Sequence, residues 1–328
     1  MILAGDIGGT NTRLGLFKID GKRLTAAVEG VFVSRDHKSL EEIVAAFVSQ
    51  HGLTVEHACF GVAGPVRNGR CEGVNLPWVA DERELARALG LEAVGLINDL
   101  EATGYGISAL EASDFLVLNE GAPGASGNAA IIAAGTGLGE AGLYWNGADY
   151  LPIASEGGHA DFAPRNALEI ELLRYLQARF THVSWERVVS GPGLFNIYKF
   201  LRDPGRGEEP DWLANAIRDR DAATVISEAA LEGRSPLCAQ ALDLFVSFYG
   251  AEAGNLALKF LAAGGIFVGG GIAPRIIGKL KDSTFMSAFV SKGRLNSLLE
   301  AIPVRVILND KAALLGAARC AALRARLL

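Results

Sequence analysis

The feature that most constrains this chain is where its glycines lie. Forty of the 328 residues are glycine, about 12% where roughly 7% is usual. The densest groups do not form a linker tract but follow short apolar runs, at positions 8–9, 135–139 and 269–271. Only glycine lets a backbone N–H approach an oxyanion closely. The pattern therefore predicts buried strands that end in anion-binding turns.

Strand-like and helix-like segments alternate along the whole chain. Short apolar runs predict strands, and apolar residues at helical spacing predict helices. This mixture indicates an α/β fold. The predicted strands are 58–62, 94–97, 129–134, 265–268 and 304–308, and the predicted helices are 40–48, 81–89, 168–180 and 237–263, with a last helix from about 311.

The order of strand, glycine turn and strand occurs twice. It spans residues 1–17 and again 129–145, each time with a threonine in the turn. This repeat predicts two similar domains that present their turns to one shared nucleotide.

Charge, apolar runs and cysteine spacing indicate which partners the protein binds and in which compartment it acts. The net charge is −6 and no Lys/Arg cluster tracks a nucleic-acid backbone, so a nucleic-acid partner is disfavoured. No apolar run of about 18 residues could span a bilayer, and the N-terminal residues lack a secretory leader pattern. The cysteines are scattered without metal-ligand spacing, which indicates buried thiols in a reducing, cytoplasmic setting. They are Cys59, Cys71, Cys238 and Cys320.

The first glycine turn differs from the two best-known phosphate loops. It lacks the Gly-Lys-Ser/Thr ending of a P-loop, and it leads into a strand where a Rossmann turn leads into a helix. Its tip offers backbone N–H groups and a hydroxyl to phosphate oxygens, and Asp6 is placed to hold a hydrated Mg²⁺. An ordinary tight turn is the alternative. The candidate phosphate ligands are Gly8, Gly9, Thr10 and Asn11.

The other two glycine turns are candidates for the rest of a nucleotide. The turn containing Gly135, Thr136 and Gly137 could clamp phosphates from a second side, and a structural hairpin is the alternative. Three consecutive glycines would leave a flat surface for adenine or ribose, although close helix–strand packing explains them equally well. These are Gly269, Gly270 and Gly271.

Polar side chains follow a buried strand at residues 98–99. Open α/β folds bind ligands at the carboxyl ends of their strands. The carboxylate of Asp99 could accept a proton from an attacking hydroxyl, with Asn98 beside it. The alternative role for Asp99 is to cap the helix that follows.

A further acidic cluster lies between residues 155 and 162. Glu156 and His159 can hydrogen-bond to hydroxyl groups, and a zinc site competes weakly because no second His or Cys lies at ligand spacing. Glu186 follows Ser184, which is a candidate N-cap. In that position Glu186 would complement the dipole of a helix.

Six segments, taken together and in order, resemble the motifs of the bacterial glucokinase family. They are distributed over nearly the whole chain. The segments are 5–11 (GDIGGTN), 97–99 (IND), 135–139 (GTGLG), 156–159 (EGGH), 184–193 (SWERVVSGPG) and 268–272 (VGGGI).

The resemblance implies a fold, an activity and an assembly. The fold would consist of two actin/hexokinase-like (ribonuclease H-like) α/β domains around a central cleft. Residues 1–109 with 310–328 would form the smaller domain and 110–309 the larger. The activity would be ATP-dependent phosphorylation of glucose on its 6-hydroxyl, with Mg²⁺, by a homodimer in the cytoplasm.

The resemblance also assigns roles to single residues. Asp99 would be the catalytic base and Asp6 would assist Mg²⁺ through water. Glu186 would bind sugar, which replaces the helix-dipole role expected from its position. The other implied sugar ligands are Asn98, Glu156 and His159, and the implied phosphate ligands are Gly8 to Asn11 and Gly135 to Leu138.

The chain departs from a related repressor and kinase family. It has no cysteine-rich zinc motif, and no DNA-binding helix-turn-helix precedes the first hairpin. Two alternatives stay open: a kinase for another hexose and a sugar-sensing regulator without turnover. Residues 205–235 match no motif, and 202–210 form a polar Gly/Pro loop.

Overall fold

The computed structural model describes residues 1–21, 23–72, 78–203 and 207–328. The middle of the predicted loop 202–210, residues 204–206, therefore lies outside the described residues. Within the described ranges the strands are β1 (Ile2–Ile7), β2 (Asn11–Asp20), β3 (Arg23–Val33), β4 (His57–Val62), β5 (Val66–Arg67), β6 (Arg70–Cys71), β7 (Ala80–Asp81), β8 (Gly95–Asn98), β9 (Phe115–Asn119), β10 (Ala129–Ala134), β11 (Leu138–Trp145), β12 (Tyr150–Ser155), β13 (Gly265–Gly269) and β14 (Val304–Ile307).

The α-helices lie between the strands and after them. In the same described ranges they are α1 (Leu40–His51), α2 (Glu82–Leu89), α3 (Asp99–Ile107), α4 (Ala167–Gln177), α5 (Gly191–Arg202), α6 (Asp211–Asp219), α7 (Ala222–Leu231), α8 (Pro236–Phe260), α9 (Ile277–Leu280), α10 (Ser283–Val290), α11 (Asn296–Glu300) and α12 (Ala312–Arg324). No helix in the described part of the chain combines the length and the apolar character needed to cross a membrane.

The chain divides into two compact units. Unit 1 contains residues 1–114, 143–154 and 309–328, and unit 2 contains residues 115–142 and 155–308. The hairpin segment 143–154 thus groups with unit 1. The domain bounds predicted from the sequence, 1–109 with 310–328 and 110–309, stay a prediction.

The sheet of unit 1 has the strand order β3-β2-β1-β4-β8. The hairpin β1–β2 is antiparallel, whereas β1, β4 and β8 are mutually parallel. These three strands consequently have their carboxyl ends at one edge. That edge is where ligands bind in sheets of this kind.

The second large sheet has the order β12-β11-β10-β13-β14-β9. Strand β13 is parallel to both β10 and β14, and β9 is antiparallel to β14. Its first five strands repeat the positions of the five strands of unit 1. The repeat seen in the sequence at 1–17 and 129–145 is therefore also present in the order of the strands.

Helices α3 and α12 pack against each other at glycines. A Cβ on Gly316 of α12 would overlap the carbonyl oxygen of Ala102, and one on Gly106 of α3 would overlap that of Ala312. The two helix backbones therefore touch directly. Helix α12 also buries its alanines against β1 and β4.

Local sequence explains most helix starts. Asp81 accepts hydrogen bonds from the N–H groups of Arg83 and Glu84, and thereby caps α2. Helix α4 is capped by Asn166 but ends at Gln177, three residues before the predicted end. The long helix α8 begins with a Ser235 cap followed by proline at its first turn.

Candidate functional site

Two acidic side chains of unit 1, Asp6 and Asp99, lie at the carboxyl edge of its parallel strands. Asp6 lies near the end of β1, and Asn98 and Asp99 lie at the end of β8. The Asn98 amide nitrogen donates to the carbonyl oxygen of Gly64, 3.0 Å away, just after β4. The ends of β4 and β8 are thereby joined, and the structure brings Asp6 and Asp99 close enough for their charges to interact.

Asn98, and not Asp99, caps helix α3. The Asn98 side chain accepts from the Leu100 N–H at 2.8 Å, and the Glu101 carboxylate accepts from the Asn98 N–H at 2.9 Å, which completes a capping box. Asp99 is the first helical residue, so the capping role considered for it is wrong. Its carboxyl is left available for chemistry.

The Asp99 carboxyl is a stronger base than a surface aspartate. It is half-buried, and it accepts one hydrogen bond, from the Leu100 N–H at 2.9 Å. Burial, followed by the negative charge of Asp6, raises the pKa of Asp99 to about 6. The group is therefore ionised at neutral pH yet has an increased affinity for a proton, which suits a general base.

Asp6 lies in a buried position near one cationic and one anionic side chain. Burial raises the pKa of Asp6, the Arg13 guanidinium opposes that rise, and Asp310 adds to it. Arg13 is itself held by Asp310, with 2.9 Å between guanidinium and carboxylate. The described residues contain no group of three or more His, Cys, Asp or Glu that could hold a metal. One carboxylate fits a hydrated Mg²⁺ that arrives with phosphates, not an ion held by protein alone.

Ser34 holds the tip of the first hairpin in place through hydrogen bonds to its backbone. The Gly8 N–H donates to Asn11 O across the turn at 2.9 Å. The Ser34 hydroxyl donates to Gly8 O at 2.7 Å, and the Ser34 N–H donates to Thr10 O at 2.9 Å. The Thr10 side chain is exposed, and within the described ranges no partner of its hydroxyl is found. Sequence reasoning missed Ser34, which lies far along the chain from the turn.

Two further glycine turns lie side by side in unit 2. Ala133 of β10 is paired with Gly269 of β13, so the turns after these strands leave the same edge of the sheet. Gly270 has a φ of +82°, and a Cβ there would overlap the backbone of Ala134. Close packing thus explains Gly270. A Cβ on Gly271 would meet nothing within 4 Å, so packing does not explain Gly271.

A buried tyrosine fastens these two turns together. The Tyr249 hydroxyl, on α8, donates to Gly269 O at 3.0 Å and accepts from the Ala134 N–H at 3.2 Å. Burial raises the pKa of Tyr249, so the phenol stays protonated. The sequence offered one signal for it, a phenol within the largely apolar stretch that begins α8, which sequence reasoning did not use.

Glu186 lies beneath the second glycine turn. Its carboxylate accepts from the Leu138 N–H at 3.0 Å and lies against Gly137. The expected helix around it is a single 3-10 turn, Trp185–Arg187, and the Ser184 side chain makes no capping bond. The helix-dipole role is therefore wrong, because the helix that it requires is not formed at this position.

The loop with Glu156 and His159 is tied to the segment that carries Glu186. Gly157–His159 form a 3-10 turn, with Glu156 and His159 both exposed. The Trp185 N–H donates to Ala160 O at 3.0 Å, and the Phe162 N–H donates to Val183 O at 2.9 Å. Unit 2 therefore presents the two glycine turns together with three sugar-binding candidates.

Comparison with solved structures defines the class of protein. The glucokinase from an Antarctic psychrotroph is 33% identical, has a TM-score of 0.85 and covers 98% of each chain. A ROK family glucokinase from Streptomyces griseus, solved with glucose and AMPPNP, is 23% identical with a TM-score of 0.66 and shares the fold. The fold is that of the actin-like ATPase superfamily, as the sequence predicted.

Sequence comparison defines the family within that class. A family model described as glucokinase matches residues 3–324. A glucokinase from Nostoc sp. is 44% identical over 338 residues, covering 98% of this chain and 99% of the relative. The chain belongs to the glucokinase family, which confirms the resemblance seen in its motifs.

Proposed function

We propose that this chain transfers the γ-phosphoryl group of ATP to the 6-hydroxyl of D-glucose, giving glucose 6-phosphate at the entry to glycolysis. The observation that carries this proposal is the half-buried Asp99 carboxyl, which does not cap α3 because Asn98 does, in a chain that matches a Nostoc glucokinase over 98% of its length. Sugar-dependent ADP release from Mg·ATP, with glucose 6-phosphate as second product, is the test.

In the proposed reaction Asp99 acts as the general base. The 6-hydroxyl oxygen attacks the γ-phosphorus while its proton passes to an Asp99 carboxylate oxygen, and the bond between phosphorus and the β,γ-bridging oxygen breaks to release ADP. Phosphoryl transfer gains most of its rate from positioning and charge stabilisation. A single well-placed base therefore suffices.

Remaining hydrogen-bonding capacity supports the assignment of the sugar ligands. The Asn98 side-chain oxygen accepts from the Leu100 N–H, and one of its amide hydrogens is donated to Gly64 O. The second amide hydrogen can be donated to a sugar hydroxyl. One carboxylate oxygen of Glu186 accepts from the Leu138 N–H, and the other can accept from a sugar hydroxyl. The exposed Glu156 and His159 side chains complete the proposed set.

The glycine turns would hold the nucleotide. The proposed phosphate ligands are the backbone N–H groups of residues 8–11 and 135–137, and the open surface at Gly271 suits the adenine or ribose. Mg²⁺ bound with ATP would neutralise phosphate charge, and Asp6 would hold it through water.

Replacing Thr10 by valine is expected to weaken nucleotide binding. A hydrogen bond to a charged oxygen contributes about 1.5–3 kcal/mol, so the KM for ATP should rise about tenfold or more. The exposed side chain makes a folding defect unexpected. Steady-state kinetics check this result, with Thr10→Ser, which keeps the hydroxyl, as the matched control. An unchanged KM for ATP in Thr10→Val would contradict the role given to the hairpin tip.

We also propose that the protein acts in the cytoplasm, as a homodimer. The four cysteines, Cys59, Cys71, Cys238 and Cys320, are buried in the structure, and their scattered spacing supports a reducing compartment. The homodimer rests on the family resemblance alone.

A further inference from the structure

Two glutamates are buried together in unit 2, outside the residues given a role in the reaction. Glu140 follows the second glycine turn on β11 and is 1% exposed, and Glu252 on α8 is 0% exposed. Neither carboxyl oxygen of Glu140 has a hydrogen-bond partner among the described residues. A buried polar group without a partner is costly, so its presence calls for an explanation.

The charges around the pair favour a proton on Glu140. Glu252 accepts from Lys259 Nζ at 3.0 Å and from the Asn255 amide at 2.7 Å, so its negative charge is satisfied. Lys292 reaches Asn255 and the carbonyl oxygen of Ala251, and makes no bond to Glu140. Burial and then Glu252 raise the pKa of Glu140 to about 8, and Lys259 opposes them. A protonated Glu140 can donate to its neighbour, which two carboxylates cannot do.

The carboxyl of Glu140 lies directly beneath the proposed sugar loop. A Cβ on Gly157 would overlap Glu140 Oε2, and one on Gly158 would overlap the carbonyl oxygen of Leu138. The backbone between Glu156 and His159 therefore rests on β11, with Glu140 as part of its support.

We propose that Glu140 is a positioning residue for sugar binding: its buried carboxyl, holding a proton shared with Glu252, supports Gly157 and so fixes the loop that presents Glu156 and His159. The proposal rests on the proposed function for the identity of the ligand. It does not require Glu140 to touch the sugar.

Loss of this proton would place two negative charges side by side in the protein interior. The charged groups that act on Glu140 are Glu252 and Lys259, both from α8, and Lys292 lies beyond Asn255. Lys259 already pairs with Glu252, and Lys292 donates to Asn255 and Ala251, so neither of these two lysines is bonded to a second carboxylate at Glu140. The loop should therefore loosen as the pH rises through about 8.

The first test compares Glu140→Gln with Glu140→Ala across pH. Glutamine keeps the shape and cannot ionise, so its KM for glucose should lie within about threefold of the wild-type value at pH 7 and stay flat up to pH 9. Alanine removes the support, and the KM for glucose should rise about tenfold or more, with the KM for ATP nearly unchanged. The wild-type KM for glucose should rise above about pH 8.

A double substitution tests the contact itself. Gly157→Ala alone should raise the KM for glucose because its Cβ overlaps the Glu140 carboxyl, and adding Glu140→Ala should reduce that effect instead of adding to it. Equal increases in both KM values, or additive effects in the pair, would overturn the proposal. So would a wild-type KM for glucose that does not change with pH.

Hydrogen exchange of the 155–162 backbone separates this proposal from the proposed function. Exchange in Glu140→Ala should be faster in this loop than in the wild type, with the β1–β2 hairpin unchanged. Faster exchange in a protein that phosphorylates no sugar would sink the proposed function and keep the structural role of Glu140. Unchanged exchange in an active kinase would sink the positioning role alone.

Discussion

Asp99→Asn is expected to lower kcat by about 10²- to 10⁴-fold, the usual contribution of a general base. Asparagine keeps the size of the side chain and can still accept from the Leu100 N–H, so helix α3 should begin as before. It cannot take up the hydroxyl proton. The KM for glucose should change by only a few-fold, because Asn98 and the residues of unit 2 are left intact.

Stability and pH dependence distinguish a lost base from a damaged fold. Because burial raises the pKa of Asp99, the free energy of unfolding falls as the pH rises from about 4 to 6, and it stays lower above that range. Asparagine removes this penalty, so the variant should be at least as stable as the wild type at pH 7. The wild-type kcat/KM should fall about tenfold per pH unit below pH 6.

The matched control is Asp81→Asn, which makes the same change from aspartate to asparagine at the start of another helix, α2. Asp81 caps α2, and asparagine caps equally well, so Asp81→Asn should keep the wild-type kcat. Near-normal turnover in Asp99→Asn would refute the assignment of Asp99 as base. A large loss in both variants would point to a general effect of charge.

Gly316→Ala is expected to be the most damaging single-methyl change in unit 1. The added Cβ would overlap the carbonyl oxygen of Ala102 in α3, where only backbone lies and no side chain can move away. Overpacking typically costs about 1–3 kcal/mol of unfolding free energy, and a clash with backbone should lie at the upper end of that range. Since α3 carries Asp99 at its first position, kcat should fall as well.

The same substitution at Gly278 is the control. That residue lies in α9, and its added Cβ would meet nothing within 4 Å. Alanine is a better helix former by about 1 kcal/mol, so Gly278→Ala should be neutral or slightly stabilising. Urea unfolding checks both variants. A midpoint for Gly316→Ala equal to that of the wild type would show that α3 and α12 do not meet as described.

The elements that the sequence predicted best depend on neighbouring residues only. The β1–β2 hairpin follows from two apolar runs around Gly8-Gly9, and the start of α2 follows from Asp81. The glycine turns at 135–139 and 269–271 were found in the same way. Each signal is a local preference of the backbone, so a reading of short windows suffices.

What the sequence could not predict depends on residues that are far apart along the chain. Ser34 braces a turn more than twenty residues away, Tyr249 fastens the ends of β10 and β13, and Glu140 meets Glu252 across more than a hundred residues. The cap of α3 was left open for a different reason. Asn98 and Asp99 are both good caps, and Glu101, three residues after Asn98 as in a capping box, is a local signal that sequence reasoning did not use.

The most direct test of the central claim is ADP release from Mg·ATP by the purified protein, without sugar and with glucose, mannose, fructose, galactose or N-acetylated hexosamines in separate reactions. Strong stimulation by glucose, with glucose 6-phosphate formed in equal amount, is the result that we predict. Stimulation by another sugar alone would contradict the assignment of glucose while keeping a kinase. No release with any sugar, from protein that still binds ATP, would contradict the kinase itself and favour a sugar-sensing role.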